Sequence, residues 1–212
     1  MKNKIGSYLY WFVAIFPFIL SAAFYSRLPE QVAFHWDAAD QPNGYASKLF
    51  AAFGVPALLL LVTMFVNFSI SADPNKQNIN RSPQLKFIIR WSIVILANIG
   101  QCLTIFKALD GKVKISVFVT IFVGLLIAAI GNYLPKCKYN YTIGIRLPWT
   151  LANEENWRKT HRLAGFVWII GGTLIVVNAF IAFQPLSIGI YLFLIIVPAT
   201  YSYCIFQKAK IS

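Results

Sequence analysis

The sequence predicts an all-α, polytopic membrane protein: a bundle of six transmembrane helices forming one domain, with both termini in the cytoplasm. Three observations lead there. Of 212 residues, 58% are hydrophobic and only 12% are charged, with a mean hydropathy of +0.63; a soluble domain is about half apolar and a quarter charged. Six apolar segments, at roughly 8–24, 49–70, 85–106, 113–134, 163–183 and 186–206, reach the length of about 20 residues that a hydrocarbon core of about 30 Å demands. The basic residues flank these segments unevenly, as membrane topology requires.

Each segment is expected to be helical, because lipid offers no partner to an unpaired backbone N–H or C=O. The first follows Lys2 and Lys4 and ends at Ser21-Ala22-Ala23, a layout shared with signal peptides. Its apolar run exceeds the about 7–15 residues of a signal h-region, which favours a retained span. Pro17, Pro56 and Pro198 lie within spans and are expected to kink or loosen them. Between spans two and three, Asp73-Pro74-Asn75 and Ser82-Pro83 are turn signals that predict a solvated connection. Asn98 and Gln101 of the third span, and Asn178 of the fifth, are placed to hydrogen-bond across the bundle for about 0.6–2 kcal/mol each; lining a polar path is their other use. Asp110-Gly111 predicts a tight turn after the third span, and Gln184-Pro185 one before the sixth. Gly124, Ala128, Gly131 and Asn132 form a small-residue stripe on the fourth span, and Gly165, Trp168 and Gly172 share a face of the fifth with His161. Packing of spans four and five against each other follows. Cys102, Cys137 and Cys204 form no close pair or CxxC and read as small apolar fillers.

Orientation comes from counting cations. With the amino terminus inside, thirteen of the 19 Lys and Arg fall on the cytoplasmic side, five outside, and Arg90 near the inner end of span three. The positive-inside rule then puts residues 131–162 in the cytoplasm and residues 25–48 outside. The same distribution accounts for the net charge of +12 without a nucleic-acid partner.

The two loops carry the remaining polar chemistry. Outside, Leu28-Pro29 ends the first helix's extension, and Glu30, His35, Trp36, Asp37 and Asp40 follow within eleven residues. Carboxylates and an imidazole suit a divalent metal or a cationic ligand; their irregular spacing fits a hydrogen-bonded cap better, and no metal or other cofactor is assigned. Inside, Asn153 is a good N-cap with Glu154 and Glu155 in the first turn, so a helix should start there and run unbroken into span five, anchored by Trp157 and Trp149. Asn140, Tyr141, Gly144, Arg146 and Pro148 precede the cap. Gly144 and Pro148 suggest a fixed non-helical path, and the Arg146 fork suits a carboxylate, a lipid phosphate or a protein partner.

The two histidines, His35 and His161, are assigned to opposite membrane faces, and the chain has no nucleophile elbow, HExxH or phosphate-cradling glycine loop. No enzyme is expected. A proton-coupled transporter would keep carboxylates within its spans, whereas all seven acidic residues read as loop residues.

GNYLPK, NYTIGIRLPWTL and ENWRKTHRLAG, with YSRLPEQVAFHWDAADQPNGYASK upstream, resemble the SdpI family of bacterial integral membrane proteins. Ala39, Asn43, Tyr139 and Leu147 stand where that family usually has glycine, aspartate, proline and threonine. The resemblance implies an immunity protein against a secreted, membrane-active toxic peptide, and a signalling role in which a cytoplasmic repressor is sequestered at the membrane. On that reading the outer loop, with Pro29, Glu30, His35, Trp36, Asp37 and Asp40, meets the peptide. The inner loop, with Asn132, Pro135, Asn140, Tyr141, Gly144, Arg146, Pro148, Trp149, Trp157, His161 and Arg162, docks or transmits, and membrane lipid is a further partner. A small-solute or lipid transporter and a metal-dependent membrane enzyme are the alternatives.

Overall fold

The computed structural model describes residues 2–37 and 39–211. Its helices are α1 (Lys2–Phe24), α2 (Val55–Ala72), α3 (Lys76–Asn80), α4 (Pro83–Ala108), α5 (Ile115–Tyr133), α6 (Pro148–Leu151), α7 (Glu154–Ile181) and α8 (Gln184–Ile211), with strands β1 (Gln31–Trp36) and β2 (Pro42–Ser47) after α1. Among the described residues six helical stretches are long and apolar enough to cross a membrane. Their outward faces would be untenable in water: Phe65, Phe180 and Ile195 are 67%, 74% and 67% exposed, and neighbours along each helix are apolar too. The chain is a multi-pass membrane protein.

Helix limits differ from the expected segments by a few residues at most ends: α4 and α8 run longer, α5 is shorter. α1 and α8 run unbroken through Pro17 and Pro198. Before Pro56 the backbone widens into a π-helical turn, Phe50–Gly54, where a wider ring absorbs the local mismatch. The chain divides into two compact units, Met1–Asn67 with Arg90–Phe118, and Phe68–Ile89 with Val119–Ser212.

In the first unit, Leu28, Val32, Ala51, Ala52 and Ile105 form one buried cluster, and Tyr10, Ala14 and Val94 another. The expected cross-helix amide bonds are present: Asn98 Nδ2 donates to the Val13 carbonyl at 2.9 Å, and Gln101 Nε2 to Ser21 Oγ at 2.8 Å. Arg90 Nε donates to Asn67 Oδ1 at 2.6 Å, and its guanidinium lies 4.5 Å from the centroid of the Tyr10 ring. The departure from an all-α chain is the β1–β2 hairpin, antiparallel, with Val32 opposite Ala46 and a bulge between Ala33 and His35. Val32 belongs to the apolar cluster, and the bulge breaks the burial alternation of β1 just after it, leaving too short a signal to compete with the flanking helices.

In the second unit α7 is the most enclosed candidate span, with 44% of its most apolar window buried against 17–22% for the others. The small-residue stripes do what their spacing promises. A Cβ on Gly172 would lie 2.5 Å from the Gly124 carbonyl oxygen and 2.6 Å from the Ala128 nitrogen, so α5 and α7 meet backbone to backbone. On its other side α7 packs Val167 and Ile175 against Ile190 and Leu194 of α8, and Trp168 Nε1 donates to the Leu194 carbonyl at 3.0 Å. The connection at 71–83 is exposed along most of its length, as expected. It also holds α3, and Asp73 and Ser82 are only 4% and 6% exposed, because both bond to the inner loop.

Candidate functional site

The inner loop, 134–153, is a knot of side chain to backbone bonds closed on the first turns of α7. Asn140, wholly buried, ties its first turn. Its Oδ1 accepts from the Thr142 and Ile143 N–H groups at 2.9 and 2.6 Å, while Nδ2 donates to the Lys138 carbonyl at 2.8 Å. Such Asx bonding replaces secondary structure where a turn must be fixed. Beside it, burial pushes the Cys137 thiol up to about 11, the Asn140 amide pulling weakly the other way, so this cysteine is an inert buried group.

Gly144 and His161 form the knot's centre. Gly144 has φ +115°, which favours glycine, and a Cβ there would lie 2.4 Å from His161 Nε2. That approach lets the Ile145 N–H donate to His161 Nε2 at 3.0 Å. Since Nε2 accepts, Nδ1 carries the proton and donates to the Trp157 carbonyl at 2.7 Å. The Trp157 indole stacks on the imidazole, centroids 4.0 Å apart, and its Nε1 donates to the Cys137 carbonyl at 2.9 Å. Histidine and tryptophan, one helical turn apart on α7, thus hold both ends of the loop.

The loop's second half is fixed by hydroxyls and amides. Thr150 Oγ1 accepts from the Leu147 N–H at 2.9 Å. Asn153 Oδ1 caps α7, accepting from Glu155 and Asn156 N–H at 2.8 and 3.0 Å, as its position before two acids suggested. Trp149 Nε1 donates to Ser202 Oγ at 2.6 Å, and Asn156 Nδ2 donates to the Ser202 carbonyl at 2.9 Å, so α8 is pinned to the loop. From the other direction comes Asp73, whose Oδ2 accepts from the Tyr141 N–H at 2.9 Å and whose Oδ1 accepts from Asn75 N–H at 2.7 Å. Ser82 Oγ donates to the Lys136 carbonyl at 2.9 Å, and Asn78 Nδ2 to that of Tyr139 at 2.8 Å. Asp73, Asn78, Ser82, Thr150, Asn156 and Ser202 were not singled out from sequence; the signal in hand, Asp73-Pro74, reads equally as an ordinary turn.

The predicted inner-loop residues therefore separate into two groups. Asn140, Trp157 and His161 are buried, with Gly144 and Trp149 partly covered: they build the frame. Asn132, Pro135, Tyr141, Arg146, Pro148 and Arg162 are exposed. Arg146 is held outward by one bond, Nη1 to the Tyr141 carbonyl at 2.8 Å. The Tyr139 hydroxyl donates to the Leu151 carbonyl at 2.6 Å; its contact with the Tyr141 hydroxyl, then burial, pushes it up to about 12.

At the hairpin, the outer-loop residues do not converge. Glu30 is exposed and 3.8 Å from Lys48 Nζ. His35 is exposed, with Nδ1 2.6 Å from Asn43 Oδ1. Asp37 Oδ1 accepts from the Ala39 and Gln41 N–H groups at 2.9 and 2.8 Å, closing the tip. Asp40, in the left-handed region at φ 63°, accepts from Lys107 Nζ and from the Ser116 N–H. Burial raises its carboxyl, but the Lys107 and Ser116 bonds outweigh this and hold it below the usual carboxylate range. Lys107 also lies 5.7 Å from the Trp36 ring centroid, and Pro29 continues the exposed turn ahead of β1. Each acid thus has its own partner, and among the described residues no three His, Cys, Asp or Glu groups are gathered to hold a metal. Asn98, Gln101 and Asn178, the residues of the alternative transport path, are all hydrogen-bonded: Asn178 Nδ2 donates to Ser187 Oγ at 2.6 Å.

Residues 136–203, which contain nearly all of this knot with α6, α7 and most of α8, match the SdpI/YfhL protein family. Over these residues the chain is similar to that family. Residues 12–60, which contain the hairpin, match a domain of unknown function (DUF1648). The chain is also similar to Immunity protein SdpI of Bacillus subtilis (strain 168), 29% identical over 182 residues, covering 85% of this chain and 83% of that one. No solved structure matches. The matched region begins at Lys136, the residue whose carbonyl Ser82 holds, two residues into the knot.

Proposed function

We propose that this chain is an integral membrane immunity protein that protects a bacterial cell from a secreted, membrane-active toxic peptide. The observation that carries the reading is the similarity to Immunity protein SdpI across 85% of the chain, together with six helices of membrane-crossing length. The excess of Lys and Arg on one side supports a cytoplasmic amino terminus, with the hairpin outside and the knot inside. Toxin contact belongs to the hairpin. Beside Glu30 and His35 it exposes Phe34 and Tyr45, 41% and 58% accessible, an aromatic and polar surface suited to an amphipathic peptide. Partner docking belongs to the exposed inner-loop residues Tyr141, Arg146 and Pro148, which the buried Asn140, Trp157 and His161 hold in place; a repressor protein sequestered there would couple immunity to signalling. Expression in a toxin-sensitive strain tests the reading: survival under toxin should rise with the wild-type chain, and unchanged survival at normal membrane levels refutes it. Arg146→Ala should leave protection intact; loss of protection with normal expression would refute the division between the loops.

A further inference from the structure

At the first turns of α7 lies a recess of about 380 Å³ lined by Pro135, Arg158, Lys159, Arg162 and Phe166. Arg158, Arg162 and Phe166 are spaced four apart and so share one face of the helix, and all three are exposed. Lys159 is occupied by Glu155, 2.8 Å away. Among the described residues, neither Arg158 nor Arg162 has an ion pair or a side-chain hydrogen bond. Two guanidinium groups one turn apart thus form no ion pair; Arg158 feels only the more distant charge of the exposed Glu155, which Lys159 already engages. The wall opposite them is rigid. A Cβ on Gly165 would lie 2.6 Å from Pro135 Cγ, so the turn Leu134–Lys136 rests directly on α7. Immediately below, the same side of the helix turns apolar and exposed: Phe166 is 61% and Ile170 60% accessible.

We propose that this recess binds the phosphodiester headgroup of an anionic glycerophospholipid, with Arg158 and Arg162 on the phosphate and an acyl chain lying along Phe166 and Ile170. Arginine forks match phosphate oxygens in paired hydrogen bonds, and cations at the end of a membrane helix sit at the depth of the phosphate layer. The apolar continuation selects a lipid over free phosphate, because only a lipid has chains to lay on Phe166. Two unpaired cations favour a net-negative headgroup over a zwitterionic one, whose choline would sit among them. The site is independent of toxin protection and of which loop faces the cytoplasm.

Native mass spectrometry of the full-length detergent-purified protein tests it, with phosphatidylglycerol and phosphatidylcholine offered at equal concentration. Phosphatidylglycerol should be retained preferentially, and millimolar inorganic phosphate should not displace it. Arg158→Gln with Arg162→Gln should weaken retention roughly thirtyfold, about fivefold per cation removed. Lys208→Gln with Lys210→Gln, which removes equal charge at the α8 end, should change it less than threefold. Equal retention of the two lipids by the wild type overturns the proposal, as does displacement by phosphate alone. So does an equal loss in the two double variants, which would mark a diffuse charge effect. The wild-type lipid comparison stands even if a variant proves unstable.

Discussion

The Thr142 hydroxyl lies 2.5 Å from Asp73 Oδ2, joining residues 69 positions apart in the chain. With the Tyr141 N–H on the same oxygen, it makes the end of α2 an anchor for the inner loop. Asp73→Ala removes the acceptor of the Tyr141 N–H and leaves the Thr142 hydroxyl only the Ser69 carbonyl, 3.1 Å away, and a donor left unpaired costs about 1–3 kcal/mol where it is buried. The melting temperature of the detergent-solubilised protein should fall accordingly. Asp73→Asn keeps a carbonyl oxygen of similar shape and should recover much of the loss. Equal stability of wild type and Asp73→Ala would show that this bond does not support the fold.

Gly144 is the position where the knot tolerates least. Alanine there meets both a left-handed backbone and the His161 ring nitrogen, so Gly144→Ala should cost about 2 kcal/mol or more. It should also free the Ile145 N–H from His161. Gly100 supplies the contrast: it lies within α4 and a Cβ there meets nothing within 4 Å, so Gly100→Ala should be neutral or stabilise by up to about 1 kcal/mol. Thermal melts of the two variants side by side check the pair.

These two sites show where reading the sequence succeeds and where it stops. Spans, the α7 cap at Asn153 and the α5–α7 stripe were legible, because each rests on residues close in sequence or on a period of a helix. Asp73 was not, since its partners Tyr141 and Thr142 lie two spans away and nothing local distinguishes a buried turn carboxylate from a solvated one. The hairpin was missed for a different reason. Phe34 forms a bulge and Gly44 faces His35, so the alternation that marks a strand is interrupted on both sides. In the knot, Asn140, Gly144, Trp157 and His161 stood out in the sequence as either a fixed backbone path or a docking surface; the structure places Asn140, Trp157 and His161 in internal hydrogen bonding, which depends on partners distant in the chain.

Asp40 makes the hairpin's attachment pH-dependent. Its carboxyl is held below the model-compound value of 3.8, so the ionised form is favoured by the fold. A group depressed in this way stabilises above its unfolded value, and that contribution disappears as pH falls through the lower, folded value. The tip should therefore be anchored to Lys107 and Ser116 at neutral pH and loosen only in acid below about 3.8. Amide hydrogen exchange at Ser116 and Gln41, expressed relative to the intrinsic rate at each pH and followed from pH 7 downward, should rise in wild type over that window. In Asp40→Asn it should be fast at neutral pH already and lack the acid step; a wild-type profile without that step would contradict the assignment.

Membrane sidedness decides which loop can meet a secreted peptide. The Glu30 side chain is 91% exposed on the hairpin, and Arg146 is exposed on the knot, so a thiol at either site is reachable from its own compartment. In a background with Cys102, Cys137 and Cys204 replaced by serine, a membrane-impermeant maleimide applied to intact cells should label Glu30→Cys and spare Arg146→Cys. After permeabilisation both should react. Cys137 kept as the lone thiol should stay unmodified in the folded protein even then, because it is 6% exposed and burial holds its thiol near 11, far above the pH of labelling. Denaturant should release it. Labelling of Arg146→Cys but not Glu30→Cys from outside would invert the topology, moving the aromatic surface of Phe34 and Tyr45 out of reach of any extracellular toxin.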